Sequence, residues 1–236
     1  MENQSRPEKL KGFLYYLPKA VKFYDLKNEK LTRAVFVVIL LTSFLSALVP
    51  AEVGSGMSFQ DIIVNVATIA VIYLASTVYL VAYIRELKNK EYTAQECFRR
   101  VMRKASRIVI ASLLYGVALA MGLFALVLPG LIIAVIYIFY ICYITDLGES
   151  VPDAFQASKR ITRGYRQRIL VILILFNLVL LLPVFLLLVF AGSSGSPIIV
   201  TFVTAFTGAV INLMYQRLVA LLYMDLEYGS STEKSI

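Results

Sequence analysis

The feature that most constrains this chain is where its positive charges fall. Six apolar runs can be read, at 34–49, 62–84, 108–128, 131–145, 169–191 and 198–224, and Lys and Arg are confined to alternate connections between them. Eight lie from Arg6 to Arg33, eight from Arg85 to Arg107 and five from Lys159 to Arg168, while Arg217 and Lys234, near or beyond the last end, complete the 23. The other three connections, around 51–61, 129–130 and 192–197, hold none, and their only charges are Glu52 and Asp61. Loops retained on the cytoplasmic side of a membrane carry an excess of Lys and Arg, whereas short translocated loops do not. The pattern predicts six spans with both termini cytoplasmic in a cell membrane, and it is hard to reconcile with an odd number.

Composition agrees. Hydrophobic residues make up 59% of the chain and charged ones 16%, against roughly a quarter charged in soluble domains, which argues against a water-soluble fold. A span needs about 20 residues, so 34–49 and 131–145 are short. The first can borrow its preceding turn, and the fourth can start at Val127 or run past Asp146. The expected fold is an all-α integral membrane bundle of six transmembrane helices, arranged as three hairpin repeats with cytoplasmic amphipathic surface helices. Residues 1–33 form an N-terminal cytoplasmic segment, 34–229 the membrane domain and 230–236 a tail. Residues 1–33 lack a short apolar core followed by a small-residue cleavage site, so no removable signal peptide is expected. Cys97 and Cys142 fall on the cytoplasmic side and are isolated, which suggests neither a disulfide nor a metal site.

The repeat is read from three matching parts. From Leu10 to Tyr24, apolar residues recur at helical spacing between lysines, interrupted by Pro18. Thr93-x-x-Glu96 opens a second such segment as a capping box. In it Ala94, Cys97, Phe98, Val101, Ala105 and Ile108 share one face, and Arg99, Arg100, Arg103, Lys104 and Arg107 the other. Ser150-x-x-Asp153 opens a third, with Ala154, Phe155, Ser158, Ile161 and Tyr165 opposed to Lys159, Arg160, Arg163 and Arg166; Gly164 weakens its end. Each surface helix is followed by an outgoing span, a turn such as Pro129-Gly130, and a returning span ending in Tyr and an acid: Tyr83 with Glu86, Tyr143 with Asp146, Tyr223 with Asp225. An acid is poorly placed at a helix C-terminus, where the dipole is already negative. Either each carboxylate meets an Arg of a basic surface helix, or the motif marks the bilayer boundary.

Within the spans, Asn65, Thr68, Tyr73, Ser76, Thr77, Tyr79 and Tyr83 form the most polar set. They either hydrogen-bond between helices or, with Asn212 and Tyr215 of the sixth span, line a cavity through Tyr73, Thr77 and Tyr79. Small residues at four-residue spacing, Gly116 and Ala120, Ala118 and Gly122, then Thr204, Gly208 and Asn212, serve helix packing or dimerisation of protomers. The chain has no histidine, so it lacks the commonest general base and metal ligand. The spans hold no Asp, Glu or Lys, which argues against a proton-coupled pump; Arg217 lies close enough to the inner end to snorkel. No phosphate-binding Gly-rich loop is present. Neither an enzyme nor a cofactor or metal is expected.

The stretches Val127-Leu-Pro-Gly-Leu-Ile-Ile, Ser150-x-x-Asp153-Ala154-Phe155-x-x-Ser158 with Gly164, and Leu222-Tyr223-Met-Asp225-Leu226-Glu227-Tyr-Gly229 resemble the membrane domain attached to some bacterial glycerophosphodiester phosphodiesterases. They also resemble its stand-alone relatives. The resemblance covers 93–229, and in that family the closing motif is usually richer in Arg. It implies a bacterial or archaeal inner-membrane bundle. It does not import phosphodiesterase chemistry, because the catalytic barrel needs about 250 residues of its own.

The cytoplasmic face then carries 23 positive against 13 negative groups, a net of +10. Anionic lipid headgroups are the expected partner of Arg99, Arg100, Arg103, Lys104, Arg107, Lys159, Arg160, Arg163 and Arg166; nucleic acid is not, since aromatic residues are not interleaved for stacking. The sequence reads as a non-enzymatic membrane protein, a scaffold, accessory or lipid-interacting subunit that can pair with itself or a partner membrane protein. The alternative is a transporter or flippase for a small amphipathic substrate.

Overall fold

Where no water can satisfy backbone N–H and C=O groups, a long apolar run closes its hydrogen bonds within itself as a helix. The computed structural model describes residues 10–48, 59–125, 127–193 and 195–229, and every regular element among them is helical. The arm before Leu10, the connection carrying Glu52, and the tail with Lys234 lie outside the described residues. In order the helices are α1 (Phe13–Val21), α2 (Glu29–Leu48), α3 (Phe59–Leu87), α4 (Ala94–Arg103), α5 (Ala105–Ala125), α6 (Val127–Tyr137), α7 (Tyr140–Cys142), α8 (Val151–Ile161), α9 (Arg166–Ser193) and α10 (Pro197–Tyr228). A π-helical turn, Tyr143–Leu147, continues α7. Among the described residues six stretches are long and apolar enough to cross a membrane: Glu29–Ala47, Ile63–Leu87, Ala105–Phe124, Leu128–Leu147, Arg166–Ser193 and Pro197–Tyr228. This is the architecture of a multi-pass membrane protein.

The two short runs resolve differently. The first span gains a turn at its start, where Asn28 Oδ1 accepts from the Leu31 N–H at 3.2 Å. The fourth is assembled from pieces: α6 stops at Tyr137, α7 resumes at Tyr140, and the Gly148 N–H closes the π-turn on Tyr143 O at 3.1 Å. Ser158 of α8 fills the break. Its hydroxyl accepts from the Phe139 N–H at 3.2 Å and donates to Ile136 O at 2.8 Å, a side chain inserted into the helical ladder, which is a recognised cause of kinks.

Pro129-Gly130 is not the turn itself. Both residues lie in the first turn of α6, where the N–H that proline lacks would have had no intrahelical partner anyway. Gly130 is needed for contact: a Cβ there would stand 2.9 Å from the Leu123 N, and one on Gly122 would stand 3.0 Å from the Gly130 Cα. These two glycines let α5 and α6 approach closely.

The core sits at one end of the bundle, the end that carries the cations. There Ser76–Ile84 of α3, Ile138–Thr145 and Arg217–Leu226 of α10 are buried on all sides. The short helices provide the enclosure: α4 packs on α3, α8 on α6, α7 and the π-turn, and α1 on α9 and α10. Toward the opposite end the helices present apolar side chains outward, with Phe124 96% and Phe190 80% exposed. Such residues suit lipid tails rather than water.

Candidate functional site: the basic end of the bundle

The acids at the ends of the returning spans take tyrosine hydroxyls. Tyr92 donates to Glu86 Oε2 at 2.8 Å, and the Lys27 N–H reaches the same oxygen at 3.0 Å. Asp146 Oδ2 accepts from Tyr223 at 3.1 Å, from Tyr228 at 2.9 Å and from Lys88 at 2.5 Å. Tyr16 of α1 donates to Asp225 Oδ2 at 2.7 Å. Where the sequence left open an Arg from a basic surface helix or a mere boundary marker, phenols donate to all three acids, and Lys88 adds a charged partner at Asp146. The Arg and Glu do meet one motif away, since Arg85 forms an ion pair with Glu96, the N3 residue of the α4 capping box. The cap itself forms, Thr93 Oγ1 accepting from the Glu96 N–H at 3.2 Å. Arg85 holds the Glu96 carboxyl below the usual range.

The cations are placed differently, with Arg100 and Arg166 half-buried between the two extremes. Lys104 lies at the break between α4 and α5, where its Nζ donates to Ile144 O at 2.9 Å and Thr145 O at 3.2 Å, and Arg107 reaches Gly148 O at 3.4 Å. They satisfy the free carbonyls of the fourth span's end, where a cation also meets the negative end of the dipole. Burial and the neighbouring Arg100 and Arg107 push the Lys104 ammonium down. By contrast Arg99, Arg103, Lys159, Arg160 and Arg163 are exposed, and none forms an ion pair with a described residue.

Residues 150–168 do not form one helix. The α8 helix ends at Ile161, Gly164 turns the chain in the left-handed region at φ 92°, and α9 starts at Arg166. The turn nevertheless gathers Lys159, Arg160, Arg163 and Arg166 around a groove of about 890 Å³, with Glu149, Asp153, Gln156 and Ala157 completing its lining. Two further grooves escaped sequence reasoning, because each joins segments distant along the chain. One of about 800 Å³ lies between 27–33 and 89–96. One of about 500 Å³ joins Leu10 to Phe13 with Gln167, Arg168, Val171 and Ile172.

One polar pair, Ser76 and Asn212, joins the second and sixth spans. Ser76 donates to Asn212 Oδ1 at 2.6 Å, Thr77 to Tyr73 O at 2.7 Å and Tyr79 to Phe23 O at 2.7 Å. The Tyr73 and Tyr140 hydroxyls are hydrogen-bonded, and Tyr215 packs against the core. Arg217 does not snorkel to water. It is 6% exposed, its Nη1 donates to Lys22 O and to Asp25 O, the latter at 3.0 Å, and its guanidinium lies 4.3 Å from the Tyr83 ring centroid. It fastens the α1–α2 connection onto the bundle. Among the described residues no three His, Cys, Asp or Glu side chains are placed to hold a metal ion.

No protein-family model, no curated protein and no solved structure matches this chain.

Proposed function

We propose that this is a lipid-interacting scaffold or accessory protein of the cell membrane, whose basic end faces the cytoplasm and binds anionic headgroups. The observation that carries the reading is the exposed set Arg99, Arg103, Lys159, Arg160 and Arg163, which forms no ion pair with a described residue. Several of its members converge on the groove between α8 and α9. Each cation beside an anionic leaflet contributes about 1 kcal/mol. Lys104 and Arg107 are excluded from this role, since they cap the fourth span.

The three-repeat organisation is part of the same reading. A short helix precedes a long antiparallel pair three times, and each short helix packs on the returning span of the preceding pair, with α1 on α10 closing the series. The transport alternative needs Tyr73, Thr77, Tyr79, Asn212 and Tyr215 to line a lumen. Tyr73 is instead bonded to Tyr140, Asn212 to Ser76, and Thr77 and Tyr79 to backbone carbonyls, while Tyr215 packs against the core, which favours a packing role.

The test is native mass spectrometry of the full chain with phosphatidylglycerol, before and after changing Arg99, Arg103, Lys159, Arg160 and Arg163 together to Gln. Loss of retained anionic lipid is the expected result. Unchanged retention overturns the reading.

A further inference from the structure

The groove between α8 and α9 holds acidic groups that anionic-lipid binding does not use. Glu149 and Asp153 line it beside the four cations. Asp153 is engaged in the cap of α8, receiving the Ser150 hydroxyl at 2.5 Å. Glu149 is different: among the described residues its Oε2 is buried without a hydrogen-bond partner, and so is the Nε of Arg166. Burial, Asp153 and Glu227 together push the Glu149 carboxyl up, outweighing Arg160. Folded proteins leave few buried polar atoms unpaired, and here an acid and a cation that each keep one line the same groove, so a ligand that offers both an acceptor and a donor suits the pair. A simple anion would serve Arg166 and leave Glu149 facing more negative charge. A simple cation would do the reverse.

Resting on the headgroup-binding reading above, we propose that this groove selects the headgroup of an aminophospholipid, with its phosphate on Arg166 and its primary ammonium on Glu149. Phosphoethanolamine carries the two charges two carbons apart, so one small group presents an acceptor to the guanidinium and a donor to the carboxylate. Arg160 and Arg163 supply further charge for the phosphate, with charge-assisted hydrogen bonds the stronger kind. Choline carries the same charges but has no N–H to donate, and glycerol has no cation at all. The groove thereby distinguishes headgroups that a basic surface alone treats by net charge.

The experiment is native mass spectrometry of the full chain with phosphatidylethanolamine, phosphatidylcholine and phosphatidylglycerol of matched acyl chains, and with glycerophosphoethanolamine. Wild type should retain the ethanolamine lipid about tenfold better than the choline lipid, the size of one charge-assisted hydrogen bond. Glu149→Gln should abolish that preference and leave phosphatidylglycerol retention intact or raised. Binding of glycerophosphoethanolamine with the same dependence on Glu149 would assign the site to a soluble phosphoethanolamine ester; its absence assigns it to the lipid. Equal retention of ethanolamine and choline lipids by wild type, or a preference that survives Glu149→Gln, overturns the proposal. Loss of phosphatidylglycerol in the five-residue Gln variant without any ethanolamine preference would leave the headgroup reading standing and remove this one alone.

Discussion

The Tyr16 hydroxyl donates to Asp225 Oδ2 at 2.7 Å across 209 positions of chain, and it accepts from the Lys11 N–H at 3.1 Å. This bond ties the first short helix to the end of the last span. The same chemistry recurs where Tyr92 meets Glu86, Tyr223 and Tyr228 meet Asp146, and Tyr143 meets Glu227 at 2.6 Å. Phenols at this depth have an apolar body for the bundle and a polar tip for the acid.

Tyr16→Phe keeps the ring and removes the donor to Asp225. Tyr16 is fully buried, so the substitution should cost about 1–3 kcal/mol, the usual penalty for depriving a buried group of a partner. Thermal unfolding in detergent measures it. An unchanged Tm would show that α1 is held by apolar contact alone.

Alkaline pH should loosen the same end. Burial and the bond to Asp225 hold the Tyr16 phenol above its ordinary value. Burial pulls Lys88 down, but its bonds to Asp146 and Tyr228 prevail and leave it raised. A group raised in the folded state contributes stability that is fully present below its unfolded pKa, about 10 for both residues, and lost as pH rises through the folded value. Tm should hold up to about pH 10 and fall above it. Tyr16→Phe and Lys88→Met should each flatten that fall, and a slope unaltered by both would contradict the assignment.

Arg217→Lys retains a charge and loses the forked donor that bridges Lys22 O and Asp25 O. Hydrogen bonds to charged groups contribute about 1.5–3 kcal/mol. Hydrogen exchange should accelerate in 22–28 well before the spans respond. Uniform protection throughout would remove the clamp.

Ser158→Ala should leave the Phe139 N–H unsatisfied inside the fourth span and lower stability by about 1–3 kcal/mol, read as a drop in Tm. Ser158→Thr keeps the hydroxyl and should recover part of the loss. Equal Tm for Ala and Ser would mean that the break stands without α8.

What was legible in the sequence was what is local. Six apolar runs became six candidate spans, and Thr93 and Ser150 cap their helices because capping depends on a spacing of three residues. The breaks were not visible. Residues 150–168 satisfy one helical periodicity across Gly164, yet φ 92° there divides them. The stop at Tyr137 depends on a hydroxyl from another helix. The tyrosines that donate to Glu86, Asp146 and Asp225 are placed by tertiary packing, so the choice between an Arg partner and a boundary marker did not include them. For Lys104 and Arg107, periodicity gives the face of a helix and not the carbonyls that an adjacent span leaves free.

Binding of inner-leaflet headgroups requires all the cations of this end to lie in one aqueous compartment, the cytoplasm. Cys97 and Cys142 are both 0% exposed, and burial raises the Cys97 thiol, so wild type serves as the unlabelled control. Lys159→Cys puts a thiol on the exposed face of α8. A membrane-impermeant maleimide should label it in inverted membrane vesicles and leave it untouched in intact cells. Labelling in intact cells would contradict the orientation and, with it, the binding of headgroups from the inner leaflet.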